Sequence, residues 1–140
     1  MRYPKIGLPI GLPGDIIGCK YLKNRGDQSM AEALYKAEPV AIRDAVEYAS
    51  DSVVSKMLIK KETGNLTLFA FDKGQALSEH TAPFDAAILV LEGKAEIIIG
   101  GESFILNEGD FVTMPADIPH DVKAPEKFKM LLTMIKGKGS

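Results

Sequence analysis

From Val53 onward, apolar and polar residues alternate with a period of two and are cut at short intervals by turn residues, the pattern of an antiparallel β sandwich or barrel. Strands are predicted over 53–61 and 65–72, with Thr63-Gly64 as the hairpin between them. Further strands over 86–91 and 94–99 flank Glu92-Gly93, and Gly100-Gly101 supplies the positive φ that a two-residue hairpin demands. The pattern continues with 103–106, the turn Asn107-Glu108-Gly109-Asp110, 111–114, a corner from Pro115 to Pro119, 120–123 and 127–135. Eight strands leave little room for helices, and closure into a barrel would remove exposed edges.

The alternation also assigns faces. Ala95, Ile97 and Ile99 fall on one side and Lys94 and Glu96 on the other. In the last strand Phe128, Met130, Leu132 and Met134 share a face while Leu131 and Ile135 occupy the opposite one, so both faces are expected to be buried. An apolar exterior patch on a barrel implies a partner, most simply a second copy of the chain in a homodimer.

Ahead of Val53 the style differs. Residues 1–29 hold three of the eight prolines and five of the thirteen glycines with no sustained period, and read as an irregular extension. Residues 30–37 are good helix formers stopped by Pro39, and a second short helix is predicted over 42–48. The expected organisation is therefore an irregular arm 1–29, with Met30 as the natural start, a helical lead-in 30–52, a barrel 53–136 and a tail 137–140.

The 140 residues suffice for one ordinary domain. Residues 1–29 carry five basic and two acidic side chains, whereas 30–140 carry twelve basic against seventeen acidic, so an acidic body sits behind a basic arm. Without a Lys/Arg stripe the body lacks the footprint of nucleic-acid binding. The longest apolar run, 86–91, is far short of the ~20 residues that span a bilayer. The stretch Ile16-Ile17-Gly18-Cys19 loosely resembles a lipoprotein cleavage box, but Pro4, Pro9, Pro13 and Asp15 interrupt the apolar run a signal peptide needs. A single cysteine supports no intrachain disulfide, and the cytoplasm is the expected location. Only two histidines are present, His80 and His120, so metal or acid–base chemistry must draw on them or on carboxylates alone.

Gly74, His80 and Gly93 fall in one spacing frame, and Gly109, Pro115 and His120 in a second, fifteen residues further on. These two frames resemble the paired motifs of the cupins, in which metal ligands stand on facing strands of a small barrel. The resemblance covers roughly residues 53–136 and implies an all-β fold, a small antiparallel β-barrel or double-stranded β-helix of jelly-roll type, with a short N-terminal helical segment. Ala82 stands where the family's second histidine is expected, Ala86 where its glutamate is expected, Asp117 in place of a glycine and Ala124 in place of an asparagine. The set of metal ligands is thus reduced to His80 and His120, against the three protein ligands usual in catalytic zinc sites and the two histidines plus carboxylate of non-haem iron.

The barrel would bring His120 beside His80, and an unbroken pleat would point His80, Ala82 and Ala86 inward. Asp85, Glu79 and Asp121 have the wrong parity to replace the missing carboxylate, Asp85 unless Pro83 introduces a bulge. The expected ligand pocket is the barrel mouth, lined by His80, Phe84, Met114, His120, Phe128 and Met130. Met130 is read chiefly as flexible core filler, its thioether as a soft ligand that would favour copper(I). Replacing His and Glu side chains by alanine makes the pocket larger and less polar, which favours a small, partly apolar molecule over a sugar phosphate. Two functions remain open. The chain is a cupin-type barrel binding such a molecule beside a degenerate metal site, or a metal-dependent cupin enzyme of oxygenase, isomerase or decarboxylase type, with His80 and His120 holding a divalent transition metal.

Overall fold

A computed structural model describes residues 37–137, and the chain divides into two compact units, 1–45 and 46–140. Of the first unit the described part contains one 3₁₀ turn, Ile42–Ala45, closed by Asp44 N–H donating to Ala41 O at 2.9 Å. The helix expected over 42–48 is therefore a single turn, too short to offset the cost of nucleating an α-helix. The arm 1–29, the start at Met30, all but the last residue of the helix expected over 30–37, and the tail after Gly137 lie outside the described residues.

The second unit is built from β1 (Val53–Lys61), β2 (Gly64–Phe71), β3 (Ala76–His80), β4 (Asp85–Ile99), β5 (Glu102–Asn107), β6 (Phe111–Met114), β7 (His120–Lys123) and β8 (Phe128–Ile135). All pairings are antiparallel. One sheet runs β1-β2-β8-β4-β6, the other β5-β4-β7-β3, and β4 is shared between them. This is the expected jelly-roll arrangement, with one correction: the strands do not close into a hydrogen-bonded ring, because β1 and β3 end the path. The edge at β1 is instead blunted by a bulge between Met57 and Ile59 and by exposed Lys60 and Lys61.

Two strand assignments differ from the sequence reading. Glu92-Gly93 is not a hairpin turn. It is a corner in one fifteen-residue strand, where β4 leaves the first sheet and enters the second. The ladder skips a residue between Val90 and Glu92, and the backbone of Val90 bonds instead to the β5–β6 turn, receiving Gly109 N–H and donating to Asp110 O. Gly93 has φ 81, and a Cβ on it would run into the Lys127 carbonyl oxygen, so only glycine allows β8 this close. The second difference is β3, which has one large apolar residue, Leu77, and reads locally as loop; its order comes from pairing with β7. The Gly100-Gly101 hairpin forms as expected, with φ 58 and 86 and Ile99 opposite Glu102.

Inward-facing residues of the first sheet stack in four cross-strand layers. From the Gly93 corner outward these are Phe71–Phe128, then Phe69–Met130–Val90, then Thr67–Leu132–Ile88–Val112, then Asn65–Met134–Ala86–Met114. The layer at the corner is the most buried: Phe71 and Phe128 are fully enclosed, with rings stacked 4.5 Å apart. The outer face of β8 is less covered than the alternation suggested, since Leu131 is half-buried and Ile135 is 64% exposed. Among the described residues no helix is long and apolar enough to cross a membrane.

Candidate functional site

Both ends of β4 point away from the Gly93 corner, so the two sheets present their far ends together. There the β3–β4 link, 81–84, meets the β6–β7 corner, 115–119, and two hydrogen bonds fasten them. Asp117 N–H donates to Ala82 O at 2.8 Å, and Ala116 N–H donates to Asp85 Oδ1 at 2.9 Å. A third bond, from Gly100 N–H to Pro119 O at 2.8 Å, ties the corner to the end of β4. Four strand termini are thereby held at one place: the end of β3 (His80), the start of β4, the end of β6 (Met114) and the start of β7 (His120).

His80 and His120 are cross-strand partners, with ring centroids 4.4 Å apart in an edge-on arrangement at 66°. The unbroken pleat expected on β3 is not what brings them together. A register shift between Leu77 and His80 turns His80 opposite His120, which itself pairs with the inward-facing Ile99. His120 is buried at 7% exposure and His80 is exposed. Each ring is aimed by its own backbone. His80 Nδ1–H donates to Ser78 O at 2.8 Å and His120 Nδ1–H to Ile118 O at 3.1 Å. A carbonyl oxygen can only accept, so the proton of each neutral imidazole sits on Nδ1 and each Nε2 keeps its lone pair. Two aimed acceptors thus stand side by side.

Two carboxylates near this pair are engaged elsewhere. Asp85 accepts the Ala116 N–H, and Asp121 faces Lys123 at 3.9 Å. Among the described residues no group of three His, Cys, Asp or Glu side chains could hold a metal ion. A divalent ion of the kind the cupin motifs imply does not fit this donor set. Two neutral imidazoles supply neither a third strong ligand nor the negative charge that offsets desolvation of a dication.

The six expected pocket residues separate into two groups. His80 and His120 pair with each other, Met114 ends β6 in the other sheet, and Phe84 lies in the adjoining link, half-buried with Lys136 Nζ 5.3 Å from its ring centroid. Phe128 and Met130 stand elsewhere in the first sheet. They belong to the two layers nearest the Gly93 corner, at 0% and 1% exposure, which leaves Met130 in its core-filling role. Met134 and Asn65 stand in the outermost layer with Ala86 and Met114. Asn65 is 9% exposed and accepts at Oδ1 from the Thr67 hydroxyl at 3.2 Å, which leaves its amide N–H groups directed elsewhere. The signal for this pair was present in the alternation, since Asn65 and Thr67 share the parity of Phe69 and Phe71 and so lie on the inner face. Asp117 adopts φ 64, a left-handed conformation that glycine takes without cost.

Residues 67–136, half of the chain, match the cupin domain family model. A conserved Streptococcus pyogenes protein of unknown function is 36% identical to this chain, covering 74% of it and 90% of itself, with a TM-score of 0.70. A cupin 2 conserved barrel domain protein from Leptotrichia buccalis is 40% identical over 67% of this chain and 46% of its own, with a TM-score of 0.65. Bacillus subtilis quercetin 2,3-dioxygenase is 35% identical over 75 residues, but this chain spans only 22% of that protein. The fold agrees with these likenesses, and the chain belongs to the cupin family.

Proposed function

We propose that this cupin barrel binds a small, partly apolar molecule at the far end of its two sheets, without a hard divalent metal. One observation carries the reading: both imidazoles are locked by main-chain carbonyls into the tautomer that offers Nε2 as an acceptor, with the apolar Ile99 paired to His120. Such a site suits a ligand with an apolar body and hydroxyl or N–H donors, in keeping with small-molecule pockets that combine apolar walls with a few placed polar groups. A ligand-binding role in the cytoplasm, as a homodimer, completes the reading. The second copy would cover the outer face of the first sheet, where Leu131, Leu89 and Phe111 form one cross-strand row, with Phe111 61% exposed.

The test is an NMR titration of the untagged chain with phenol and catechol as probes. Shifts concentrated at His80, His120 and the Met114 methyl, abolished by His120→Phe, support the reading. Shifts scattered over the surface overturn it. Stoichiometric zinc or iron in protein purified without chelator, lost in the His80→Ala/His120→Ala double variant, overturns it in favour of a metal-dependent enzyme.

A further inference from the structure

The outermost inward layer of the first sheet holds a hydrogen-bond donor that the fold itself does not use. Asn65 is only 9% exposed, and its Oδ1 accepts the Thr67 hydroxyl at 3.2 Å. Among the described residues no acceptor meets its Nδ2. None of their buried side-chain nitrogens or oxygens is both sealed from solvent and unbonded, so this amide nitrogen keeps an opening to solvent. The parity of Asn65 with Phe69 and Phe71 puts that opening on the inner side of the sheet, in the layer shared with Met134, Ala86 and Met114. One step further out stands a cation. Lys136 N–H donates to Thr63 O at 2.6 Å, so the chain beyond β8 still runs beside the chain that leads into β2. Its Nζ lies 5.3 Å from the centre of the half-buried Phe84 ring, and among the described residues no carboxylate pairs with it. Asn65 opposes Met134, and Lys136 follows two residues later; this is the diagonal spacing of about 7–8 Å across which long side chains still reach one another.

We propose that Asn65 and Lys136 form a subsite for the carboxylate of a small organic acid, whose apolar body lies against Phe84, Ala86 and Met134. Three physical arguments converge on it. The amide nitrogen and the ammonium offer donors only, and an ionised carboxylate is acceptor-only with two oxygens, so one group can satisfy both. Its single negative charge matches the single ammonium, and bonds to an ionised acceptor are about twice as strong as neutral ones. The walls are apolar and the site is already formed: Ala86 is small between two methionines, and the Phe84 ring holds the Lys136 ammonium within cation–π range, which leaves less freedom to lose on binding. A near-buried amide donor facing inward has no structural use in this layer, and a ligand oxygen gives it one.

This inference rests on the proposed far-end location of the ligand but not on the histidines, and the two fail separately. The experiment is an NMR titration of the full chain with benzoate, and with benzyl alcohol as its neutral counterpart. The expected shifts centre on the Asn65 side-chain amide, the Phe84 ring and the Met134 methyl. Benzoate should bind at least ~10-fold more tightly than benzyl alcohol, the scale of one charge-assisted hydrogen bond. That preference should shrink as ionic strength rises from ~0.01 to ~0.15 M, because only the charged pair is screened. Lys136 is exposed, so its replacement should not disturb folding. Lys136→Gln should bring benzoate down to the level of benzyl alcohol and leave benzyl alcohol unchanged, whereas Lys136→Arg should keep the preference. Benzoate binding no more tightly than benzyl alcohol, or a preference that survives Lys136→Gln, overturns the proposal. Phenol and catechol shifts at His80 and His120 that persist in that case refute the carboxylate subsite alone; their loss with the benzoate preference intact refutes the histidine reading alone.

Discussion

Gly93 is the point on which the geometry of the site depends, and its replacement by alanine has a cost that can be worked out in parts. The residue has φ 81, where an L side chain loses about 1–2 kcal/mol. The added Cβ would collide with the Lys127 carbonyl oxygen and stand 2.8 and 2.9 Å from Cα and Cβ of Phe128. Relief requires β8 to move, yet Phe128 is fully buried and its ring stacks on Phe71 at 4.5 Å, so the layer must be repacked. Strain of that kind costs about 1–3 kcal/mol. Gly93→Ala should therefore lose about 2–5 kcal/mol, a large part of the ~5–15 kcal/mol that holds a domain together. Gly74 is the internal control: its φ is 86, and a Cβ there meets nothing within 4 Å. Gly74→Ala should lose only the conformational part. In urea unfolding followed by circular dichroism, with a slope of ~2 kcal/mol/M, the midpoints should fall by about 2 M and about 0.7 M respectively. Equal midpoints in the two variants would refute the reasoning, because the steric contribution of the corner would then be absent.

Asp117→Gly should stabilise the chain by up to ~1 kcal/mol, since it removes the left-handed strain at φ 64; a lower melting temperature would show that the aspartate side chain supplies something glycine cannot. Tyr48 donates to Glu92 Oε2 at 2.6 Å between Lys127 and Lys129, and burial followed by the Glu92 contact pushes its phenol well above the usual tyrosine range. A raised pKa means the contribution to stability is complete below pH ~10 and is lost as pH climbs through the folded value. Tyrosinate absorbance during an alkaline titration should accordingly show a late step that is missing in Tyr48→Phe, and that variant should be about 0.5–1.5 kcal/mol less stable at neutral pH. Sedimentation velocity should find a dimer that dissociates in Phe111→Lys, whose side chain lies 61% exposed on the outer face; a monomeric parent chain would remove the second copy from the proposal.

Period-two alternation was enough to place seven of the eight strands in whole or part, and the two glycine-led frames were enough to place both histidines on facing strands. Alternation is legible because a one-sided sheet must put apolar side chains on every second residue, whatever its partners are. What the pattern could not carry were features decided between strands. Ala76–His80 has almost no apolar signal and becomes a strand only because β7 supplies its hydrogen bonds. Glu92-Gly93 looks like a reversal because a positive φ bends the chain in either case, and only the close approach of Phe128 makes the bend a corner.

The same division runs through the site. The resemblance to the cupin motifs implied that His80 and His120 stand at ligand positions and that Ala82 and Ala86 replace two others. Parity pointed Asp85 outward from a regular pleat. The tertiary structure decided that a bulge rather than a regular pleat opposes the two rings. It decided that two backbone carbonyls set their tautomers, and that Met114 and Met134 fall in the layer farthest from the Gly93 corner while Phe128 and Met130 fall in the two nearest it. Chemistry is a property of each side chain and can be read one residue at a time. Distance between side chains is a property of strand register and of where a strand changes sheets, and long-range pairing alone sets it.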